Sequence, residues 1–145
     1  MFLGQYTHNF DEKGRLTIPV KYRDALIGGA YLTKGFDRNL MVWTAAAFNF
    51  LEKQINDLSV TDPDARLLKR LIFSNALQIE LDKLGRILVP QYLRDMVDLQ
   101  NAAMVVGSGD YFEIWSTQNW QNQSEQMQDS ETTANRFEAL SLKAK

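Results

Sequence analysis

Two arginines, Arg15 and Arg86, stand in the same company. The stretch Phe10-Asp11-Glu12-Lys13-Gly14-Arg15-Leu16-Thr17-Ile18-Pro19 is echoed 71 residues later by Leu81-Asp82-Lys83-Leu84-Gly85-Arg86-Ile87-Leu88-Val89-Pro90. Each copy is followed by a further Arg-Asp pair, Arg23-Asp24 and Arg94-Asp95. A guanidinium carries a planar fork of donors, matched to phosphate oxygens or to the O6/N7 edge of guanine. With Lys13 and Lys83 beside them, Arg15 and Arg86 are placed to meet a nucleic acid. The plainer alternative is structural: Asp caps a turn, Gly permits it, and Arg pairs back to Asp. A turn alone does not require arginine in both copies, which favours the functional reading.

Other candidates for chemistry read as architecture. His8 is the only histidine and has no Cys, Asp or Glu at metal-ligand spacing, so it reads as a strand residue. Gly107-Ser108-Gly109 resembles part of a phosphate loop, but no Gly-Lys-Ser/Thr follows, and a hairpin turn fits better. Asp62 and Asp64 open a helix and suit its dipole. Trp43, Trp115 and Trp120 could stack on bases, yet their strand and helix positions favour core packing. No catalytic constellation, metal site or cofactor motif emerges.

The elements that must position the arginines follow from turn chemistry. Asp11 to Gly14 fits a four-residue turn, with Asp at its first position and Gly at its fourth. Leu3 to Phe10 reads as a strand and Arg15 to Ile18 as its hairpin partner. Pro19 to Ile27 predicts a short helix ended by Gly28-Gly29. Ala30–Lys34 and Leu40–Trp43 read as strands. Thr44 caps a helix with the stripe Phe48, Leu51, Ile55 and Leu58, and Asp62-Pro63 opens a second with Leu67, Leu68, Leu71 and Ile72. The unit then recurs: strands Ala76–Leu81 and Arg86–Val89, a helix from Pro90 to Val97, and strands Ala102–Val106 and Tyr111–Trp115. An offset of 72 aligns Gly35 with Gly107 and Trp43 with Trp115. Thr117 is expected to cap a last helix, and fraying is expected after about residue 125.

The totals bound the rest. The chain has 145 residues, 45% of them hydrophobic, and no cysteine. That excludes a disulfide framework and a thiol nucleophile, and suits a reducing cytoplasm. No apolar run is long enough for a membrane span, and the first ten residues do not read as a signal peptide. The net charge is −2 and the pI about 5.4. Non-specific nucleic-acid binding normally wants a basic surface, so a basic patch here must come from folding or assembly.

In combination, these motifs resemble the MraZ family. The resemblance rests on Met1-Phe2-x-Gly4, the doubled Asp-x-x-Gly-Arg frame, Thr61-Asp62-Pro63-Asp64-Ala65-Arg66 and Phe112-Glu113-Ile114-Trp115, and covers about residues 1–120. It implies an α+β fold of two tandem swapped-hairpin, AbrB-like (SpoVT-type) β-units forming a pseudo-symmetric barrel, with an intervening helical pair. The expected divisions are 1–50 and 76–120 for the two repeats, 51–75 for the helices and 121–145 for a polar tail. It implies a cytoplasmic, nucleoid-associated transcription factor that binds repeated promoter boxes in double-stranded DNA as a ring-shaped homo-oligomer. Its own cell-division and cell-wall cluster would be the target. On the matched motif, Arg15 and Arg86 would read bases or clamp phosphates, and Lys13 and Lys83 would support them at the backbone. Asp11, Gly14, Asp82 and Gly85 would shape the tips. The competing reading is an antitoxin-like or scaffold module, in which the Arg–Asp pairs are structural and helices 44–74 form an interface.

Overall fold

The computed structural model describes residues 1–144. Among these residues eight strands and six helices follow in order: β1 (Gln5–Asn9), β2 (Arg15–Thr17), α1 (Val20–Arg23), β3 (Ala30–Lys34), β4 (Leu40–Thr44), α2 (Ala45–Asn56), α3 (Pro63–Ser74), β5 (Leu77–Ile79), β6 (Arg86–Leu88), α4 (Gln91–Met96), β7 (Ala102–Gly107), β8 (Tyr111–Ser116), α5 (Thr117–Gln128) and α6 (Ser130–Glu138). A 3₁₀ turn, Asp24–Leu26, extends α1.

The strands form one six-stranded antiparallel sheet, ordered β1-β7-β8-β4-β3-β5, and a separate ribbon of β2 with β6. The copies exchange strands. β1 of the first pairs with β7 of the second, and β5 of the second pairs with β3 of the first. This corrects the expected local hairpins of β1 with β2 and of β5 with β6, while β3–β4 and β7–β8 pair locally. Among the described residues, only the Phe10–Leu16 bridge remains between β1 and β2, and the ladder of β2 goes to β6. The reason is burial. Leu16, Ile18, Ile87 and Val89, all at most 1% exposed, close a core that neither copy could close alone. Among the described residues the ladders do not close into a barrel; sheet and ribbon stay separate.

The pairing reveals a pseudo-twofold axis. Leu16 faces its own repeat mate Ile87 in the ribbon, and Met41 faces its mate Glu113 in the sheet. The registers also correct the constant offset of 72. His8 pairs with Ala103 while Ile79 pairs with Ala30, so β3 and β7 are related by 73. The loop before β7 is longer and the turn after it shorter, which a gapless alignment conceals.

The main core lies between sheet and ribbon. At its centre Tyr22 meets Phe2, Tyr6 and Phe112, with ring centroids 5.0 to 5.5 Å apart. Such side chains dominate core energetics because each buries a large apolar area. The Tyr22 hydroxyl donates to the Leu3 carbonyl at 2.6 Å, which ties the N-terminal segment down. On the other face of the sheet, α2 and α3 bury Phe48, Ile55 and Ile72 against Met41 and Trp43. Their caps are those expected. Thr44 accepts from the Ala47 N–H at 3.1 Å, and Asp62 from the Asp64 N–H at 2.9 Å, ahead of Pro63.

Two details of the second half differ from expectation. Ser116, not Thr117, caps α5, accepting from the Asn119 N–H at 3.0 Å. The residues after 125 continue α5 to Gln128 and form α6, capped by Asp129. Polar composition suggests fraying there, but Gln, Glu and Arg are adequate helix formers, and Asp129 restarts the helix. The three tryptophans are at most 9% exposed, as core packing requires. Among the described residues, no helix is long and apolar enough to cross a membrane.

Candidate nucleic-acid interface

Each tip is built by one aspartate. Asp11 Oδ1 accepts from the backbone N–H groups of Lys13 (3.0 Å) and Arg15 (2.9 Å), and Asp11 Oδ2 takes Arg15 Nε at 2.6 Å. The second tip repeats this. Asp82 Oδ1 accepts from Leu84 (3.0 Å) and Arg86 (2.9 Å), and Oδ2 takes Arg86 Nε at 2.8 Å. Gly14 and Gly85 close the turns with φ of 83° and 75°, a region costly for any other side chain. Backbone N–H bonds from Arg15 and Arg86 are the main reason that both aspartate pKa values lie below the ordinary carboxylate value.

The ribbon carries the arginines to one face. Arg15 pairs with Leu88 and Thr17 with Arg86, so the two arginines sit on a diagonal. Diagonal cross-strand neighbours lie about 7–8 Å apart. Leu16 and Ile87 point the opposite way, into the core. The tips also touch: Arg86 Nη1 lies 3.5 Å from Asp11 Oδ2, linking the two copies. Asp11 holds Arg15 through Nε, and among the described residues the Nη groups of Arg15 meet no carboxylate. Both arginine side chains remain partly accessible, at 34% and 22%. Lys13 and Lys83 are exposed in the turns themselves. They are not repeat mates, since Lys13 matches Leu84 and Lys83 matches Glu12.

Two further arginines belong to this arrangement. Arg23 Nε donates to the Ile18 carbonyl at 2.9 Å, and Arg94 Nε to the Val89 carbonyl at 3.0 Å. Each guanidinium lies against the tip glycine of the other copy, Arg23 against Gly85 and Arg94 against Gly14. Arg94 also stands over the Phe10 ring, 5.7 Å from its centroid. The backbone crosses in the same sense: Ile18 N–H donates to Gly85 O and Val89 N–H to Gly14 O, each at 2.9 Å. Both arginines are visible in the repeat, but nothing in one copy's spacing says that they brace the other copy's turn.

The surface thus gathers Lys13, Arg15, Arg23, Lys83, Arg86 and Arg94 around Asp11, Glu12 and Asp82. With Asp24 and Asp95 beside Arg23 and Arg94, six cations there stand against five acids, a small local excess in a chain of net charge −2. His8 lies in β1, outside the two tips, its pKa lowered by burial and by the Arg23 charge. Among the described residues no group of His, Cys, Asp and Glu could hold a metal ion.

Similarity to known proteins agrees with the repeat. The profile of the family described as "MraZ protein, putative antitoxin-like" matches the chain twice, over residues 1–71 and 72–141. A protein of Roseiflexus castenholzii named transcriptional regulator MraZ is 45% identical over 122 residues, 84% of this chain and 85% of its own length. Proteins of the same name from Thermomicrobium roseum and Herpetosiphon aurantiacus are 45% and 47% identical, over 86% and 83% of this chain and 88% and 85% of their own lengths. With both halves matched by one profile and these relatives aligned over most of their length, the chain belongs to the MraZ family.

Proposed function

We propose that the protein is a sequence-specific DNA-binding transcriptional regulator of MraZ type. The observation that carries this is the pairing of two aspartate-built tips on one ribbon, with Arg15 and Arg86 on a shared face and Lys13 and Lys83 at its ends. In this reading Arg15 and Arg86 reach base edges or phosphates. Lys13 and Lys83 neutralise the backbone, and Asp11, Asp82, Gly14 and Gly85 hold the tips in shape. The repeats at 1–50 and 76–120 form the reading unit in swapped, barrel-like fashion, with 51–75 and 121–145 outside it.

One ribbon offers few cations, so the protein acts as a homo-oligomer, a ring that sets several ribbons against repeated promoter boxes. Linking weak sites raises avidity by roughly 10²–10⁴ when the spacing fits. The site of action is the nucleoid, at the promoter of its own cell-division and cell-wall cluster. Relatives carry the name transcriptional regulator, which supports this reading.

The antitoxin-like or scaffold reading draws on the 2.6 and 2.8 Å Arg–Asp pairs, which serve the turns. Salt separates the two. DNA from upstream of the protein's own gene should bind with log K falling linearly against log salt, with a slope of about −0.9 per phosphate contact. Binding that ignores both salt and sequence would rule the DNA reading out.

A further inference from the structure

The two halves treat the same helix pair differently. After β4 the chain forms α2 and α3, and after β8 it forms α5 and α6. α3 settles on the sheet. Ala65 and Ile72 are buried, and the Thr33 hydroxyl donates to the Ile72 carbonyl at 2.7 Å. α6 buries nothing. Ala134 and Phe137 lie three apart on it and Leu140 follows in the turn after it; Phe137 and Leu140 are 58% and 73% exposed.

A complementary surface lies elsewhere on the chain. Trp43, Ala47, Phe50, Leu51, Gln54 and Asp110 line a groove of about 460 Å³ along α2. Phe50 is 68% exposed. Trp43 Nε1 is buried and, among the described residues, has no hydrogen-bond partner. Its repeat mate Trp115 donates to Glu113 at 3.1 Å, but the mate of Glu113 is Met41, a poor acceptor. A buried donor left unpaired is costly, and Trp43 is one of the residues that line this groove.

We propose that α6 of one copy docks in the α2 groove of a second copy, with Phe137 and Leu140 against Phe50 and Leu51. An amphipathic helix in an apolar groove is a recurrent recognition mode. Arg136, beside Phe137, matches the Asp110 carboxylate at the groove. The two surfaces are different, so the contact is heterologous and repeats from copy to copy, closing a ring where the rotation permits. The inference rests on the assembly proposed above and names the segment that makes it.

The chain has no cysteine, so engineered thiols report without background. Phe50→Cys protein and Phe137→Cys protein are mixed under mild oxidation and analysed by non-reducing mass spectrometry. The expected product is a mixed disulfide holding one chain of each variant. Sedimentation gives the second readout: wild-type chain assembles, and Phe137→Asp, changing an exposed residue, falls to a smaller species. Assembly of unchanged mass in Phe137→Asp, with no mixed disulfide, overturns the docking while leaving the oligomer standing. A Phe50→Cys/Phe137→Cys double variant linked within one chain overturns it in favour of the helix covering its own groove. A wild-type species of 16.7 kDa at micromolar concentration removes both docking and ring.

Discussion

Arg23 of the first repeat lies against Gly85 of the second. A β-carbon placed on Gly85 would stand 2.3 Å from Arg23 Cζ, and one on Gly14 would stand 3.0 Å from Arg94 Cζ. Each tip is therefore shaped by its own aspartate and enclosed by the other repeat's arginine. Gly85→Ala combines this clash with a positive φ of 75°. Residues held in that region cost about 1–3 kcal/mol. Chemical denaturation should show a loss of at least that size. Adding Arg23→Ala should recover the steric part and leave the backbone part, a non-additivity expected of residues in contact. Simple additivity would show that the guanidinium does not enclose the turn.

The tips should also be sensitive to acid. The pKa values of Asp11 and Asp82 are lowered mainly by backbone N–H bonds from Arg15 and Arg86. A carboxylate whose folded pKa lies below its unfolded value of about 3.9 stabilises the fold fully above that pH. The contribution is lost as pH falls through the lowered folded value. Melting temperature should therefore decline as pH drops below about 4. In Asp11→Asn and Asp82→Asn that decline should be shallower and the neutral-pH stability lower. An unchanged acid profile in both variants would contradict the account of the turns.

Tyr22 supports a third prediction. Its ring packs among Phe2, Tyr6 and Phe112, and its hydroxyl donates to Leu3 O at 2.6 Å. Tyr22→Phe keeps the packing and removes that bond, which should lower stability by about 0.5–1.5 kcal/mol. Urea unfolding should give a lower midpoint with an unchanged slope. A neutral result would mean that the Leu3 carbonyl finds another donor.

The tips and the helix starts are legible in the amino-acid sequence. The Asp-x-x-Gly-Arg turns are local, and each residue's part follows from turn chemistry. Thr44 and Asp62-Pro63 mark their helices for the same reason. Non-local pairing is harder to read. Period-two alternation tells that Arg15–Thr17 is a strand but not that its partner is Arg86–Leu88, because antiparallel hairpins within and between repeats share one pattern. The enclosing roles of Arg23 and Arg94 are hidden on the same ground. The offset near Gly107 misleads because glycine matches glycine across a gap, whereas register is set by Ala103 and Val105 both facing the core. Composition misleads in the tail, since polar residues that bury nothing still form a capped helix.

The central claim is that Arg15 and Arg86 serve recognition and not merely the turns. Ion pairs that keep contact with solvent, as these partly accessible ones do, contribute about 0–1 kcal/mol to stability, so Arg15→Ala and Arg86→Ala should leave the protein folded, with melting shifted by no more than a few degrees. Lys in place of Arg retains the charge but loses the planar fork, and where an arginine reads a base it should give up roughly 1–3 kcal/mol of discrimination at that base. The decisive measurement is melting and binding on the same preparations, using DNA from upstream of the protein's own gene and a scrambled control. The prediction is folded, assembled protein whose preference for the promoter fragment is largely lost in each alanine variant. A variant that binds the promoter as wild type does, or that loses binding only in proportion to lost fold, would contradict it.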